Sequence, residues 1–495
     1  MSMSPLIVAN ATAVPLADIP CGKYSWLRGM ILEKVAGGAY ITALFMFPRP
    51  AGGLNLLAAL SSPEDGGMAL GMCEVTEDSL PSLTPECPEA HMFEREFAEE
   101  WGVVPRGHPW LKPVRYTAPD ASPAVTDFFR VEGDQVHEVA VGPVHAGVIE
   151  PGHFRFQCHG EKVMHLEIAL GFQHRGIEKR LVGGPDKMSR HLLETAAGDT
   201  TCGHAMAYAM NVEALAGLEV SDDAHRVRAI GLELERIANH VGDLGALSGD
   251  VGYLPTASYC GRLRGDILNI TALLCGNRFG RGLVLPGGVG YGIDGEMAGT
   301  ARTRLDAAMR DIRGAVDLLF ASPSVLARFE ETGVVDRLTA DHLGLVGPAA
   351  RASGLAVDVR RELPHGAYAK VEFPLDMGGY GDVLARARQR QMEVETSAKF
   401  IASWLEEPCA AIPEDALRTR ALRPDSLSVS LVEGWRGELC HVAVTDADGK
   451  FAAYKVVDPS FHNWTGLAMA LRGQQISDFP LCNKSFNLSY CGHDL

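Results

Sequence analysis

The chain has 495 residues, 46% hydrophobic and 22% charged, so it can bury a large core and is not a disordered chain. Its formal net charge of −17 excludes a general nucleic-acid binder and suits an anionic membrane face poorly. No run of about 20 apolar residues occurs, so no single helix is expected to span a bilayer.

The N-terminus has no basic residue before its short apolar run and reads as lacking the charged start of a signal peptide. The eleven cysteines are scattered and contain no CxxC, so the chain offers no local zinc or iron–sulfur motif. A cytoplasmic location is expected.

In chain order, Tyr24 to Tyr116 reads as a small α/β unit. Tyr40–Phe47, Leu54–Leu60 and Met68–Val75 are apolar strand candidates separated by turn-rich segments. Ala90–Trp101 reads as a short acidic helix closed by Gly102. Gly107-His108-Pro109 follows, and the proline-bearing stretch 112–135 is the best linker candidate. Residues 1–135 and 136–495 are therefore expected to form two domains.

The second domain shows helical periodicity. Ile230, Leu234, Ile237, Val241 and Leu244 recur at steps of four and three. So do Leu263, Ile267, Ile270 and Leu274, and likewise Leu305, Met309, Ile312, Val316 and Leu319. A fourth helix is expected from Asp382 to Leu405, with Arg386, Arg388 and Arg390 on a solvated or subunit-facing patch. Val429–Leu431, Cys440–Val444 and Lys450–Val457 read as strands. The expected fold class is α+β: a small α/β domain, then a helix bundle with small peripheral sheets.

Ten of the 17 histidines lie between His137 and His240. The densest segment, residues 142–181, also carries Glu150, Glu161, Glu167 and Glu178 among glycines. Such a mixture suits proton transfer or a metal site, and equally a hairpin with histidines in caps and salt bridges. Asp199-Thr200-Thr201 reads as a helix cap, and His204 as a packing histidine.

Gly142–Leu181 resembles the first block of the large subunit of membrane-bound, energy-converting [NiFe] hydrogenases and of its relative, the D-type subunit of respiratory complex I. ELERIANH at 233–240, RFGRGLVLPGGV at 278–289, GPAARASGLAVDVR at 347–360, VEGWRGEL at 432–439, PSFHNW at 459–464 and ISDF at 476–479 continue the likeness in family order. AHMFEREFAEEWGV and GHPWL, within 90–111, resemble the C-type (30-kDa-type) subunit of complex I. A fusion of the two is typical of formate-hydrogenlyase-type complexes.

The resemblance implies a peripheral subunit of a membrane-attached oxidoreductase on the cytoplasmic side of the inner membrane. Its implied partners are an iron–sulfur small subunit like the B-type one of complex I, holding a 4Fe–4S cluster, a ferredoxin-like subunit, and membrane subunits of the H-type and antiporter-like kinds. Nucleic acid is not among them. The family holds nickel and iron with four thiolates, because soft sulfur suits those metals. Ala197, Thr200, Asn487 and Tyr490 stand at those positions here, so hydrogenase activity is not expected.

Glu150 matches the family's proton-carrying glutamate, and Arg436 the arginine over the metal. Glu178 and His493 match residues of a buried Mg²⁺ pocket, or form a structural ion pair. His153 lies where complex I places its quinone histidine, while Leu192 stands where its tyrosine is expected. Tyr490 offers a phenol from the other side. The expected function is proton-coupled electron transfer at a vacated cavity, with quinone as the first candidate acceptor. The alternatives are a non-catalytic coupling scaffold and, last, a hydrogenase with unusual ligands.

Overall fold

A computed structural model describes residues 3–118, 120–145, 149–375, 377–409 and 420–495. The strands Tyr40–Pro48, Leu54–Ser62 and Gly67–Val75 form an antiparallel sheet in that spatial order. Leu6–Val8 extends it beyond Gly67–Val75, with Cys21–Gly22 pairing parallel to that strand. These strands are apolar at nearly every position because elements pack on the sheet: helix Tyr24–Ala36, helix His91–Trp101 and strand Phe451–Val457.

The second part is organised around helix Asp222–Asp250. Its expected stripe, Ile230 to Leu244, is fully buried, and Ser221 caps its first turn by accepting from Ala224 N. Leu254–Cys275 and Val383–Trp404 flank it, and Gly295–Phe320 packs outside Leu254–Cys275. Helix Thr201–Ala216 lies on a four-stranded sheet ordered Phe451–Val457, Gly437–Thr445, Ser426–Gly434, Thr12–Pro15. Residues near the start of the chain thus complete a sheet made near its end. One apolar cluster joins this sheet to the N-terminal layer. A third sheet holds Val136–Val141, His153–His159 and Lys162–Ala169.

Between 107 and 135 the described residues form neither helix nor strand, but the segment is tied down. Glu99 accepts from the backbone N–H groups of Val114, Arg115 and Thr117 at 2.6–2.9 Å. Arg115 is buried against Glu96.

The arginine patch expected on Val383–Trp404 is a correction. Arg386 and Arg390 are buried and only Arg388 is exposed. Arg386 donates to the carbonyls of Gly381 and Gly333 and to Ser485 Oγ, and Arg390 pairs with Asp243 at 2.9 Å. Their guanidinium groups satisfy carbonyls that folding buries.

Candidate functional site

The hairpin Ser426–Gly434/Gly437–Thr445 pairs Gly434 with Gly437, which leaves Trp435 and Arg436 as its two-residue turn. Gly347, at positive φ, packs directly under this turn, and a Cβ there would collide with the Arg436 carbonyl. That contact explains the glycine opening GPAARASG.

Arg436 reaches from the turn to both the Asp199–Thr200 segment and the Asn487 segment. Nη1 and Nη2 donate to Asp199 Oδ1 and Oδ2 at 2.5 and 2.8 Å, and Nη1 lies 3.4 Å from Thr200 Oγ1. Nε donates to the Asn487 carbonyl at 2.5 Å. Burial opposes the arginine's charge, but Asp199 outweighs it and raises the pKa. Trp435 Nε1 donates to the Asp199 carbonyl, and the guanidinium lies 3.9 Å from the indole centroid.

Asn487 closes helix Phe479–Phe486 in the left-handed region at φ 46°, a conformation asparagine tolerates. Its amide donates to Asp243 Oδ1 at 2.6 Å, and Asp243 Oδ2 takes Arg390. Ala197, Thr200 and Tyr490 are buried.

These residues do not fit a Ni–Fe centre. None of the four positions carries sulfur. The nearest thiols do not converge: Cys202 packs against Gly231 and Gly280, whereas Cys491 Sγ lies 3.4 Å from Ser489 Oγ. Arg436 joins the two segments instead, through Asp199 and the Asn487 carbonyl.

Glu150 faces the C-terminal segment. Its Oε2 accepts from Tyr490 N at 3.3 Å, and its carboxylate is a hydrogen-bond partner of the Cys491 thiol. Burial and then Glu150 push that thiol up to about 11. Burial also pushes the Tyr490 phenol up to about 12, against a hydrogen bond to Asn483.

The structure does not bring His153 and Tyr490 onto one side. In the strand His153–His159, Phe154 meets Tyr490 edge-on, with ring centres 6.4 Å apart. His153 lies beside Phe128 at 5.3 Å, the same ring that Arg155 covers. Strand alternation therefore separates the two, and they cannot clamp one quinone headgroup between them. His153 Nδ1 lies 3.4 Å from the Gly142 carbonyl, and burial lowers its pKa.

Among the described residues, Glu178 and His493 do not fall in one cluster of converging ligand atoms. Glu178 Oε1 accepts from Lys455 Nζ at 3.0 Å and from Val456 N, while His493 Nδ1 pairs with Asp494. The carboxylates that do converge are Glu96, Glu100 and Glu178. Lys455 reaches Glu96 at 2.5 Å, and Arg115 also binds Glu96. Burial would raise the Glu96 carboxyl, but Lys455 and Arg115 hold it at about 2. Protein cations occupy the place expected for Mg²⁺, so the residues do not fit the ion.

The ELERIANH motif explains itself side chain by side chain. Glu233 binds Arg360, Tyr368 and Ser397, Arg236 donates to the carbonyls of Glu433 and Gly434, and His240 meets Glu393 at 2.8 Å. Glu235 and Asn239 serve the candidate site. Glu235 accepts from the N–H groups of Cys202 and Gly203, and Asn239 donates to the Asp199 carbonyl. The cap of helix Thr201–Ala216 thus comes from Glu235, not from Asp199-Thr200-Thr201, whose carboxylate is committed to Arg436.

Behind the site runs a buried hydrogen-bonded row that single-sequence reading missed. Asp458 Oδ2 lies 3.3 Å from His204 Nε2, His204 Nδ1 lies 3.0 Å from His441 Nε2, and His441 Nδ1 lies 3.0 Å from the Tyr454 hydroxyl. Burial would raise Asp458, but His204 and Arg436 hold it low and ionised, so it only accepts. With one proton on each imidazole, every donor in the row then points toward Asp458. Burial keeps His441 neutral and Tyr454 protonated. Tyr208 follows, its ring centre 6.4 Å from that of Tyr454.

The chain is 30% identical over 356 residues to a carbon monoxide-induced hydrogenase from Rhodospirillum rubrum, covering 71% of this chain and 97% of that one. It belongs to the family of hydrogenase large subunits and the respiratory-chain NADH dehydrogenase 49 kDa subunit. Residues 250–423 match that 49 kDa subunit family, and residues 50–128 match the respiratory-chain NADH dehydrogenase 30 kDa subunit. Formate hydrogenlyase subunit 5 of Escherichia coli (strain K12) is 29% identical over 446 residues, covering 84% of this chain and 77% of the relative.

Among solved structures, the family frame recurs in a chain of an archaeal respiratory membrane complex, the membrane-bound sulfane sulfur reductase. The TM-score is 0.68 at 25% identity, covering 73% of this chain and 99% of that one. None of Ala197, Thr200, Asn487 and Tyr490 carries a thiolate. Among the described residues no helix is long and apolar enough to cross a membrane.

Proposed function

We propose that this chain is the peripheral-arm subunit of a membrane-attached, complex-I-like oxidoreductase, and that it handles protons at the vacated metal position. Residues 1–135 are its 30-kDa-type domain and residues 136–495 its hydrogenase-large-subunit-like domain. The observation that carries the reading is the site itself. Arg436 closes the ligand positions through Asp199 and Asn487, yet Glu150 stays beside Tyr490 and Cys491. A pure scaffold has no need of that carboxylate, nor of an oriented Asp458–His204–His441–Tyr454 row behind it.

In this reading Glu150 exchanges protons with the site, and the buried row delivers them from the side of Tyr454. Moving one proton along the row passes the Tyr454 proton to His441, the His441 Nε2 proton to His204 and the His204 Nε2 proton to Asp458, while Tyr454 regains a proton from outside the row and Asp458 releases one toward the site. A partner iron–sulfur subunit supplies the electrons, since this chain has no cluster motif of its own. No quinone step is assigned, because His153 and Tyr490 lie on opposite faces of the strand His153–His159.

The partner subunit covers the surface at Val144 and Ile149, which are 77% and 59% exposed. The ferredoxin-like and membrane subunits complete the assembly on the cytoplasmic face. Affinity purification of the tagged chain from native membranes tests this. The expected result is co-purification with an iron–sulfur subunit and integral membrane subunits. A chain that purifies alone from the soluble fraction would contradict it.

A further inference from the structure

Two motifs of the N-terminal unit, AHMFEREFAEEW and GHPWL, have no part in the Arg436–Glu150 site. They meet at a cavity of about 470 Å³, closed on the far side by Lys162–Ala169 and by helix Pro459–Ala470. That volume lies in the range of small-molecule pockets, about 300–1,000 Å³.

Its walls are aromatic. The rings of Trp110, Phe129 and His165 cluster with centres 4.7–5.9 Å apart, and Trp464 lines the opposite side. The ring nitrogens His165 Nε2 and Trp464 Nε1 are buried with no hydrogen-bond partner among the described residues.

Its charge opposes that of the chain. Three cations line it, Arg95, Lys112 and Arg472, against one carboxylate, Glu167. Glu167 is already paired with Lys112 at 3.2 Å and accepts from Phe129 N. Arg95 spends two of its five N–H donors on the carbonyls of Lys112 and Pro113. Neither Arg95 nor Arg472 makes a direct ion pair among the described residues, although Glu99 and Glu167 act on Arg95 from farther away. The histidines do not add charge: burial lowers His91, His108 and His165, so they are neutral near pH 7.

We propose that this cavity binds a small organic anion with a flat apolar body, the body lying among Trp110, Phe129 and Trp464 and the acidic group facing Arg95 and Arg472. An anion entering here gains charge-assisted hydrogen bonds from the half-buried Arg95 and the exposed Arg472. The apolar wall rejects small hydrated anions, which have no surface to bury there. Neither Arg436 nor Glu150 lines the cavity, although its Trp464 packs on Tyr490 with ring centres 4.9 Å apart.

Fluorescence titration of the assembled complex with anilinonaphthalene sulfonate, a flat aromatic sulfonate, tests the proposal. Its neutral analogue phenylnaphthylamine lacks the sulfonate and is the control. The expected result is saturable one-to-one binding, with the neutral compound at least about tenfold weaker. Arg472→Gln should weaken the sulfonate by about threefold, and Ala468→Phe should fill the space and abolish binding.

Hydrogen exchange on the unsubstituted complex locates the probe even where Ala468→Phe misfolds. Amides of 107–116 and 464–472 should be protected. Equal affinity for the charged and neutral compounds would overturn the proposal. So would binding without protection of those segments. Binding to the free chain but not to the complex would also overturn it, since a neighbouring subunit would then fill the cavity.

Discussion

Arg436 grips Asp199 with two arms, Nη1–Oδ1 at 2.5 Å and Nη2–Oδ2 at 2.8 Å, and its third nitrogen holds the Asn487 carbonyl. Asp199 and Asn487 are far apart in sequence. Here a hydrogen-bonded guanidinium makes the cross-link. Arg436 is 6% exposed, so removing its nearest counter-charge leaves a buried cation with only the more distant Asp458 and Asp243 to offset it. Asp199→Asn should therefore destabilise the chain by about 2 kcal/mol, less than a fully buried pair because Asp199 is partly exposed. Thermal unfolding measures this. The double variant Asp199→Leu, Arg436→Met should recover much of the loss, since an apolar pair leaves no charge unpaired.

The same cross-link bears on metal content. Ala197, Thr200, Asn487 and Tyr490 offer no thiolate, and the available space is crossed by Arg436. Elemental analysis of the purified complex should find no stoichiometric nickel. About one nickel per chain, or hydrogen uptake by the complex, would show that other residues bind the metal.

Tyr40 ties the N-terminal sheet to the arginine hairpin, donating to Glu438 at 2.9 Å and lying 3.2 Å from Glu362. Burial pushes both carboxyls up to about 8. A raised folded pKa means that the folded state keeps a proton which the unfolded chain releases above its usual value of about 4.5. This contribution to stability is therefore full below about pH 4.5 and is lost as pH rises toward 8. Glu438→Gln stays neutral, so its melting temperature should fall less between pH 6 and pH 9 than that of the unsubstituted chain. The gain at pH 9 should be about 2 kcal/mol. Parallel melting curves across that range would refute the assignment.

The row behind the site makes its own prediction. His441→Gln keeps a donor and an acceptor between His204 and Tyr454 but cannot pass a proton through a ring. Turnover of the assembled complex should drop about tenfold or more, with a larger solvent deuterium isotope effect and unchanged assembly. Unchanged turnover and isotope effect would make the row structural.

Much of this fold is legible in the sequence because periodicity reports local geometry. The stripe Ile230 to Leu244 marks the buried face of its helix, and Gly434 and Gly437 bracket the turn that carries Arg436. What periodicity cannot report is the distant partner. Asp199 looks like a cap, yet the cap is Glu235 and Asp199 belongs to Arg436. His204 looks like packing, while its partner His441 lies 237 positions away. Arg386 and Arg390 look solvated because the carbonyls and the carboxylate they satisfy lie on other segments, at Gly333, Phe486 and Asp243. His153 and Tyr490 fail as a pair for the opposite reason. Each position matches or suggests a quinone contact, but strand alternation turns them apart.

The central claim, that protons are handled at this vacated site, rests on Glu150, whose carboxylate meets Tyr490 N at 3.3 Å. Glu150→Gln keeps the side-chain shape and can still accept that bond, but it removes the titratable proton. The decisive measurement is turnover of the assembled Glu150→Gln complex with its native electron donor and acceptor. A fall of about 10²-fold or more, with subunit composition unchanged, is the predicted result. Normal assembly with turnover at the unsubstituted rate would contradict it and leave the chain a coupling scaffold.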